Sequence, residues 1–302
     1  MPVITVNGLK KSFQDKEVIK GLDFILQTGK CTALIGPNGA GKTTILRMLS
    51  GLIQPSAGTI KFHEDHTKGD IRQYIGYLPQ FPVFHDWMTG IEFLQFVGRL
   101  AGLTKSVALQ RAKELLALVG LEEAKNRRIG KYSGGMKQRL GIAQAIIHRP
   151  KLVMLDEPVS ALDPFGRREV LELLEKLKQE TTILFSTHIL NDAEEVCDQI
   201  LFLHNGELVE TGTMSELQLK YQQAKLLLEF TENAATYIDA FTKQELIEKR
   251  QIDGNQATLF VKDLEKTKAA MLREIADDNW PLLRFEVGRL TLEDVFLEVV
   301  KK

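Results

Sequence analysis

The strongest constraint on this chain is the run Gly36-Pro37-Asn38-Gly39-Ala40-Gly41-Lys42-Thr43-Thr44. It matches GxxxxGK[ST] and is too rich in glycine and proline to be helix or strand. An apolar, β-branched segment over 30–35 precedes it, and Lys42–Leu49 reads as a helix behind it. Strand, glycine loop and helix in that order is the context a phosphate cradle requires. The glycines let the backbone curl so that successive N–H groups face phosphate oxygens, and the helix start adds its positive end. In that reading Lys42 reaches the β- and γ-phosphates of ATP, the Thr43 hydroxyl takes one position on Mg²⁺, and Thr44 is a second hydroxyl donor. At ordinary residue frequencies a chance match anywhere in the chain is roughly one in a hundred.

A partner for this loop lies further along. Leu152-Val153-Met154-Leu155 is a buried-type strand that delivers Asp156 and Glu157 at its C-terminal end, the edge where parallel α/β sheets bind ligands. Asp156 is placed to hold the hydration shell of Mg²⁺, and Glu157 to polarise a water attacking the γ-phosphate. An isolated Asp-Glu at a strand end is usually just solvated; coupled to the loop it is read as chemistry.

The patterning around these segments fixes the fold class. Short strands are predicted over 4–6, 17–26, 59–62 and 74–78, and helical periodicity runs over 90–118. A helix over 167–179, a strand over 182–185 and a helix over 190–197 follow, then a hairpin of 200–203 and 207–211 around an Asn205-Gly206 turn. The alternation implies a mixed α/β sheet with parallel, buried central strands. A polar helix over 214–225 ends the pattern, giving domains of 1–220 and 221–302. The tail contains no chemical motif. Its predicted elements run strand 226–230, helix 234–241, strands 246–252 and 257–261, a helix to about 276 and a strand 283–287. That is the βαββαβ order of a small ferredoxin-like α+β domain, closed by an amphipathic helix over Leu292–Val300.

Composition removes competing classes. With 39 Lys+Arg against 40 Asp+Glu the formal charge is −1, which argues against nucleic-acid binding by bulk charge. No apolar stretch approaches the ~20 residues a membrane span needs, and the start lacks the h-region of a signal peptide. Two cysteines, Cys31 and Cys197, in apolar segments suit a reduced, cytoplasmic chain better than a disulfide framework.

Further motifs then share a register with the loop. Tyr132-Ser133-Gly134-Gly135-Met136-Lys137-Gln138-Arg139 resembles the signature sequence of ABC (ATP-binding cassette) ATPases, at that family's spacing upstream of Asp156-Glu157. Gln80 in Tyr77-Leu78-Pro79-Gln80 resembles its Q-loop, Ser160-Ala161-Leu162-Asp163 its D-loop, and His188 in Ser186-Thr187-His188 its switch histidine. Phe13 falls where the family stacks an aromatic on adenine, though many members carry Tyr there. Tyr132 stands where Leu is common, and Val159 where Thr is frequent. Singly, Gln80 reads as a loop amide, and His188 and Phe13 as packed side chains. Only the shared register reverses those readings, and the resemblance covers roughly residues 3–215.

The resemblance implies a P-loop ATPase domain with a RecA-like core, an antiparallel β subdomain and a helical subdomain. It also implies a head-to-tail dimer of two copies, in which Ser133, Gly134 and Gly135 of one cap the γ-phosphate held by the other, with Asp163 coupling the sites. Gln80 and His188 then contact the γ-phosphate, and Gln80 joins Thr43 and Asp156 at Mg²⁺. Two functions compete: the energy-coupling subunit of a membrane transporter, and a soluble ATPase acting on DNA or ribosomes. DNA-acting relatives insert long coiled coils between loop and signature, where this chain has about 90 residues, and ribosome-acting ones usually carry two cassettes. The transporter reading leads, with a separate transmembrane permease subunit as partner and the chain peripheral on the inner face of the membrane. Phe81, Pro82, Phe84, Trp87, Met88 and Thr89 lie where the family receives that subunit's coupling helix, or else pack into the chain's own core. Leu292-Glu293-Asp294-Val295-Phe296-Leu297 resembles the ending of bacterial drug, antibiotic, lantibiotic or sodium exporters, so export is expected.

Overall fold

The computed structural model describes residues 1–14, 16–63, 70–160, 162–221, 224–288 and 291–300. Ala161 of the predicted D-loop and residues 222–223 of the predicted 214–225 helix lie outside the described residues. Two compact units are present, one ending at Met214 and the next beginning at Ser215.

The first unit opens with a hairpin of β1 (Pro2–Phe13) and β2 (Lys16–Gln27). β1 is much longer than the 4–6 segment expected, because register shifts between Val6 and Lys10 break the period-two pattern that reveals a strand in sequence. Next come β3 (Cys31–Ile35), buried at every residue, and α1 (Lys42–Leu49). β4 (Ala57–Phe62) pairs with β1 to complete an antiparallel sheet in the order β2-β1-β4. After β5 (Ile75–Leu78), the helical stretch resolves into α2 (Gly90–Leu100) and α3 (Lys105–Leu118). Gly102 breaks it at φ +88°. Each helix has its own cap, a Thr89–Glu92 capping box and the Thr104 hydroxyl.

α4 (Gly134–Ala145), β6 (Leu152–Asp156), α5 (Pro164–Leu177), β7 (Thr182–Thr187) and α6 (Leu190–Val196) follow. β8 (Gln199–His204) and β9 (Glu207–Thr213) form the predicted hairpin. The main sheet runs β5-β6-β7-β3-β8-β9, parallel except for β9. Fully buried β3, β6 and β7 are what a parallel sheet covered on both faces demands. Their C-terminal ends therefore gather the glycine loop, Asp156-Glu157 and His188 at one edge.

The β8–β9 turn contributes to that edge. Asn205 and Gly206 take φ +49° and +81°, the left-handed pair a two-residue hairpin needs. A Cβ on Gly206 would lie 2.3 Å from the Val18 carbonyl oxygen, and the Lys20 N–H donates to the Gly206 carbonyl at 3.0 Å. A Cβ on Gly36 would likewise meet the Leu203 carbonyl oxygen at 2.3 Å. The hairpin is thus seated against both β2 and the start of the glycine loop.

The second unit begins within α7 (Met214–Lys220). Its elements are β10 (Ala224–Phe230), α8 (Ala234–Ala240), β11 (Ile247–Asp253), β12 (Gln256–Val261), α9 (Leu264–Asp277), β13 (Leu282–Gly288) and α10 (Leu292–Val300). The antiparallel order β11-β12-β10-β13 realises the ferredoxin-like arrangement. Leu226, Leu228, Phe230, Leu259 and Met271 form its core. Lys225 on β10 pairs with Asp294 at the start of α10.

Candidate active site

Gly41 caps α1 at φ +112° and offers no side-chain acceptor. The first helical N–H with a backbone acceptor is that of Ile45, on Gly41 at 3.0 Å, so the amides ahead of it are left for an anion. A Cβ on Gly41 would lie 2.5 Å from Ile19 Cδ1, which fixes glycine here twice over. The cleft above this turn, about 310 Å³, is lined by Asn38, Gly39, Gly41, Lys42, Thr43, Thr44, Gln80, Glu157 and Val18.

Three groups converge on Glu157, which is only 8% exposed. Lys42 Nζ approaches its Oε1 at 3.3 Å, His188 Nδ1 its Oε2 at 3.2 Å, and the Gln80 amide donates to Oε2 at 3.4 Å. Lys42 also donates to the carbonyls of Gly36 at 2.8 Å and Pro37 at 3.2 Å. Glu157 holds a left-handed backbone, φ +50°, a conformation costing about 1–3 kcal/mol in a non-glycine residue. Its N–H, donating to the Ser186 hydroxyl at 2.9 Å, helps to hold it there. The strained backbone and the buried carboxylate coincide, as they do where a group must be aimed.

Asp156 lies beside it, 1% exposed. Its Oδ1 accepts from the Ser186 hydroxyl at 2.6 Å, while its buried Oδ2 has no hydrogen-bond partner among the described residues. An orphaned carboxylate oxygen at the strand end, across from the hydroxyl-bearing start of α1, fits a hard divalent cation. Burial first, and then the Asp156 carboxylate, push the nearby Tyr77 phenol above its ordinary pKa.

Phe13 ends β1 at 47% exposed, with Lys11 Nζ 4.9 Å from its ring centroid, and is outside the residues lining the cleft. Ala40 is buried within the loop. Ser133 caps α4 by accepting from the Met136 N–H at 3.2 Å. Ser133 and Gly134 are exposed, and none of Ser133, Gly134 and Gly135 lines the cleft of its own chain. The unusual Tyr132 is buried and donates to the Ala124 carbonyl at 2.8 Å, pinning the turn from behind. Asp163 caps α5 through the Gly166 N–H at 3.0 Å. Of the segment after Gln80, Phe81 and Trp87 stay 76% and 70% exposed, Met88 is buried, and Phe84 packs edge-on to Phe93 at 5.2 Å. The own-core reading holds for Met88 and Phe84 and fails for Phe81 and Trp87, which stay open.

Two lining or supporting residues escaped the sequence. Ser186 bridges the carboxylate of Asp156 and the backbone of Glu157; its place in Ser186-Thr187-His188 was visible, its bridging role was not. Val18 carries no signal beyond the alternation of β2.

Residues 19–160 match the ABC transporter family, and residues 212–300 match the C-terminal domain of DrrA1-3-like ATP-binding proteins. The chain is 44% identical over 298 residues to the ABC transporter ATP-binding protein YxlF of Bacillus subtilis, covering 99% of each. It is 32% identical to the Nod factor export ATP-binding protein I of Ralstonia nicotianae, over 99% of this chain and 94% of that one. The linearmycin resistance ATP-binding protein LnrL of Bacillus subtilis is 30% identical over 98% of each. Among solved structures, an ATP-binding subunit of an ABC transporter superposes with TM-score 0.65 at 32% identity, over 73% of this chain and 93% of that one.

Proposed function

Since this chain belongs to the ATP-binding subunits of ABC transporters, an ATPase family, we propose that it powers export through a separate transmembrane permease, as an ATP-sandwich dimer of two copies. The carrying observation is the convergence of Lys42, Gln80 and His188 on the buried carboxylate of Glu157. In this reading Lys42 moves onto the β- and γ-phosphates when ATP enters, and Glu157 is released toward the attacking water as its general base. Gln80 and His188 then hold the γ-phosphate side of that water. Thr43, Gln80 and Asp156 would hold Mg²⁺, which supplies charge neutralisation on the phosphates. Phe13, exposed at the end of β1, is offered to adenine from outside the phosphate cleft.

The donor-rich turn at Ser133 supports trans capping, because it is exposed and lines no part of the cleft of its own chain. A phosphate met by that turn bridges two copies through charge-assisted hydrogen bonds, and its release opens them. Ser133→Arg is expected to abolish hydrolysis while equilibrium ATP binding to the monomer stays within about two-fold. Loss of monomer binding would place the turn in the wrong site.

Among the described residues no helix is long and apolar enough to cross a membrane, so attachment at the inner face is assigned to the permease. Phe81 and Trp87, apolar and open, suit a short helix from that subunit. Trp87→Glu is expected to remove this chain from purified permease while ATP binding persists; undiminished co-purification would point to another docking face. Export rests on the Nod factor export relative and on the ending Leu292–Leu297, which resembles that of bacterial exporter ATPases.

A further inference from the structure

A second buried carboxylate lies behind the site, unused by the chemistry so far. Asp192, in the first turn of α6, is fully buried. Its Oδ1 receives Arg167 Nε and Nη2, each at 2.5 Å, and its Oδ2 has no hydrogen-bond partner among the described residues. Arg167 belongs to the first turn of α5, its N–H donating at 2.9 Å to the carbonyl of Asp163, the residue that caps this helix. On the other side, α6 starts two residues after His188 and has no side-chain cap of its own. The Thr187 hydroxyl accepts from the Ile189 N–H at 2.9 Å, closing the turn that presents the histidine.

These contacts form one unbroken path. It runs from the Asp163 cap through the first turn of α5 to Arg167, across to Asp192, back through the first turn of α6 to His188, and onto Glu157 at 3.2 Å. A buried pair of this kind is weak support for stability, since apolar residues of similar volume often replace it at no loss. What an ion pair adds is a fixed distance and direction between two elements.

We infer that Arg167 and Asp192 form a positioning strut that sets His188 against Glu157 according to the placement of the Asp163 turn. Asp192 does not touch nucleotide; it acts through the histidine. The inference rests on the role proposed above for His188 and on the site coupling that the family resemblance implies for Asp163, and it adds the physical link between them. A displacement of a catalytic group by about 1 Å costs up to about 100-fold in rate, so a loosened strut registers in turnover before it registers in binding.

The test uses the full chain and compares Asp192→Asn, Arg167→Met and the double variant Arg167→Met/Asp192→Leu. Each single variant is expected to lower kcat by about ten-fold or more, with KM for ATP within about two-fold. Amide exchange over residues 187–192 is expected to accelerate in both, while the helix after the glycine loop keeps its protection. The double variant is expected to regain the wild-type melting temperature and still turn over slowly. Recovery of kcat along with melting temperature in the double variant would overturn the inference, since packing alone would then suffice. Unchanged exchange over 187–192 in the single variants would overturn it as well. A wild-type chain with no turnover would refute the function proposed above, and the exchange measurement would still decide the strut.

Discussion

Glu157→Gln is expected to lower kcat for ATP hydrolysis by at least about 100-fold, the span a single positioned general base contributes. The amide has nearly the shape of the carboxylate, so Gln80 and His188, within 3.4 and 3.2 Å of Oε2, retain a partner of the same size. What disappears is the base, together with the negative charge facing Lys42 at 3.3 Å. ATP binding is therefore expected to be kept or tightened, because Lys42 no longer has to leave a carboxylate to reach phosphate. With ATP and Mg²⁺ the variant should elute from gel filtration as a dimer, and as a monomer without nucleotide. Wild-type turnover in this variant would remove Glu157 from the mechanism.

Lys42→Ala is expected to weaken ATP binding by about 100-fold or more, since each hydrogen bond from an ammonium to a charged oxygen is worth about 1.5–3 kcal/mol and 1.4 kcal/mol is ten-fold. The lysine is 5% exposed and already desolvated, so it exchanges partners on binding rather than surrendering water. Its removal also leaves Glu157 with the Gln80 and His188 contacts alone. Equilibrium titration with ATP measures the effect, and a melting curve separates it from misfolding. Near wild-type affinity in a folded variant would contradict the phosphate-cradle reading of the loop.

Much of this site was legible because its chemistry demands particular residue types at fixed spacing. The glycine loop, the strand ending in Asp156-Glu157 and the parallel sheet between them follow from local pattern, and the structure brings Lys42, Gln80 and Glu157 to one cleft, with His188 against Glu157. Contacts that depend on tertiary approach were silent. Ser186 is an ordinary strand serine until β6 and β7 pair side by side, and Val18 is one more alternating residue until β2 curls over the loop. Arg167 and Asp192 are separated by a helix and a strand in sequence, and each alone reads as a solvated helical charge. β1 was underestimated because its bulges interrupt alternation, and the 90–118 helix was not split because apolar periodicity persists on both sides of Gly102.

A two-residue turn between the last strands of a sheet is ordinarily where evolution inserts and deletes freely. Here Gly206 abuts Val18 and the strand ahead of it abuts Gly36, so this tip is hemmed in like a keystone. Lengthening it by a single amino acid would push on the glycine loop from the rear, making an apparently peripheral turn intolerant of insertion.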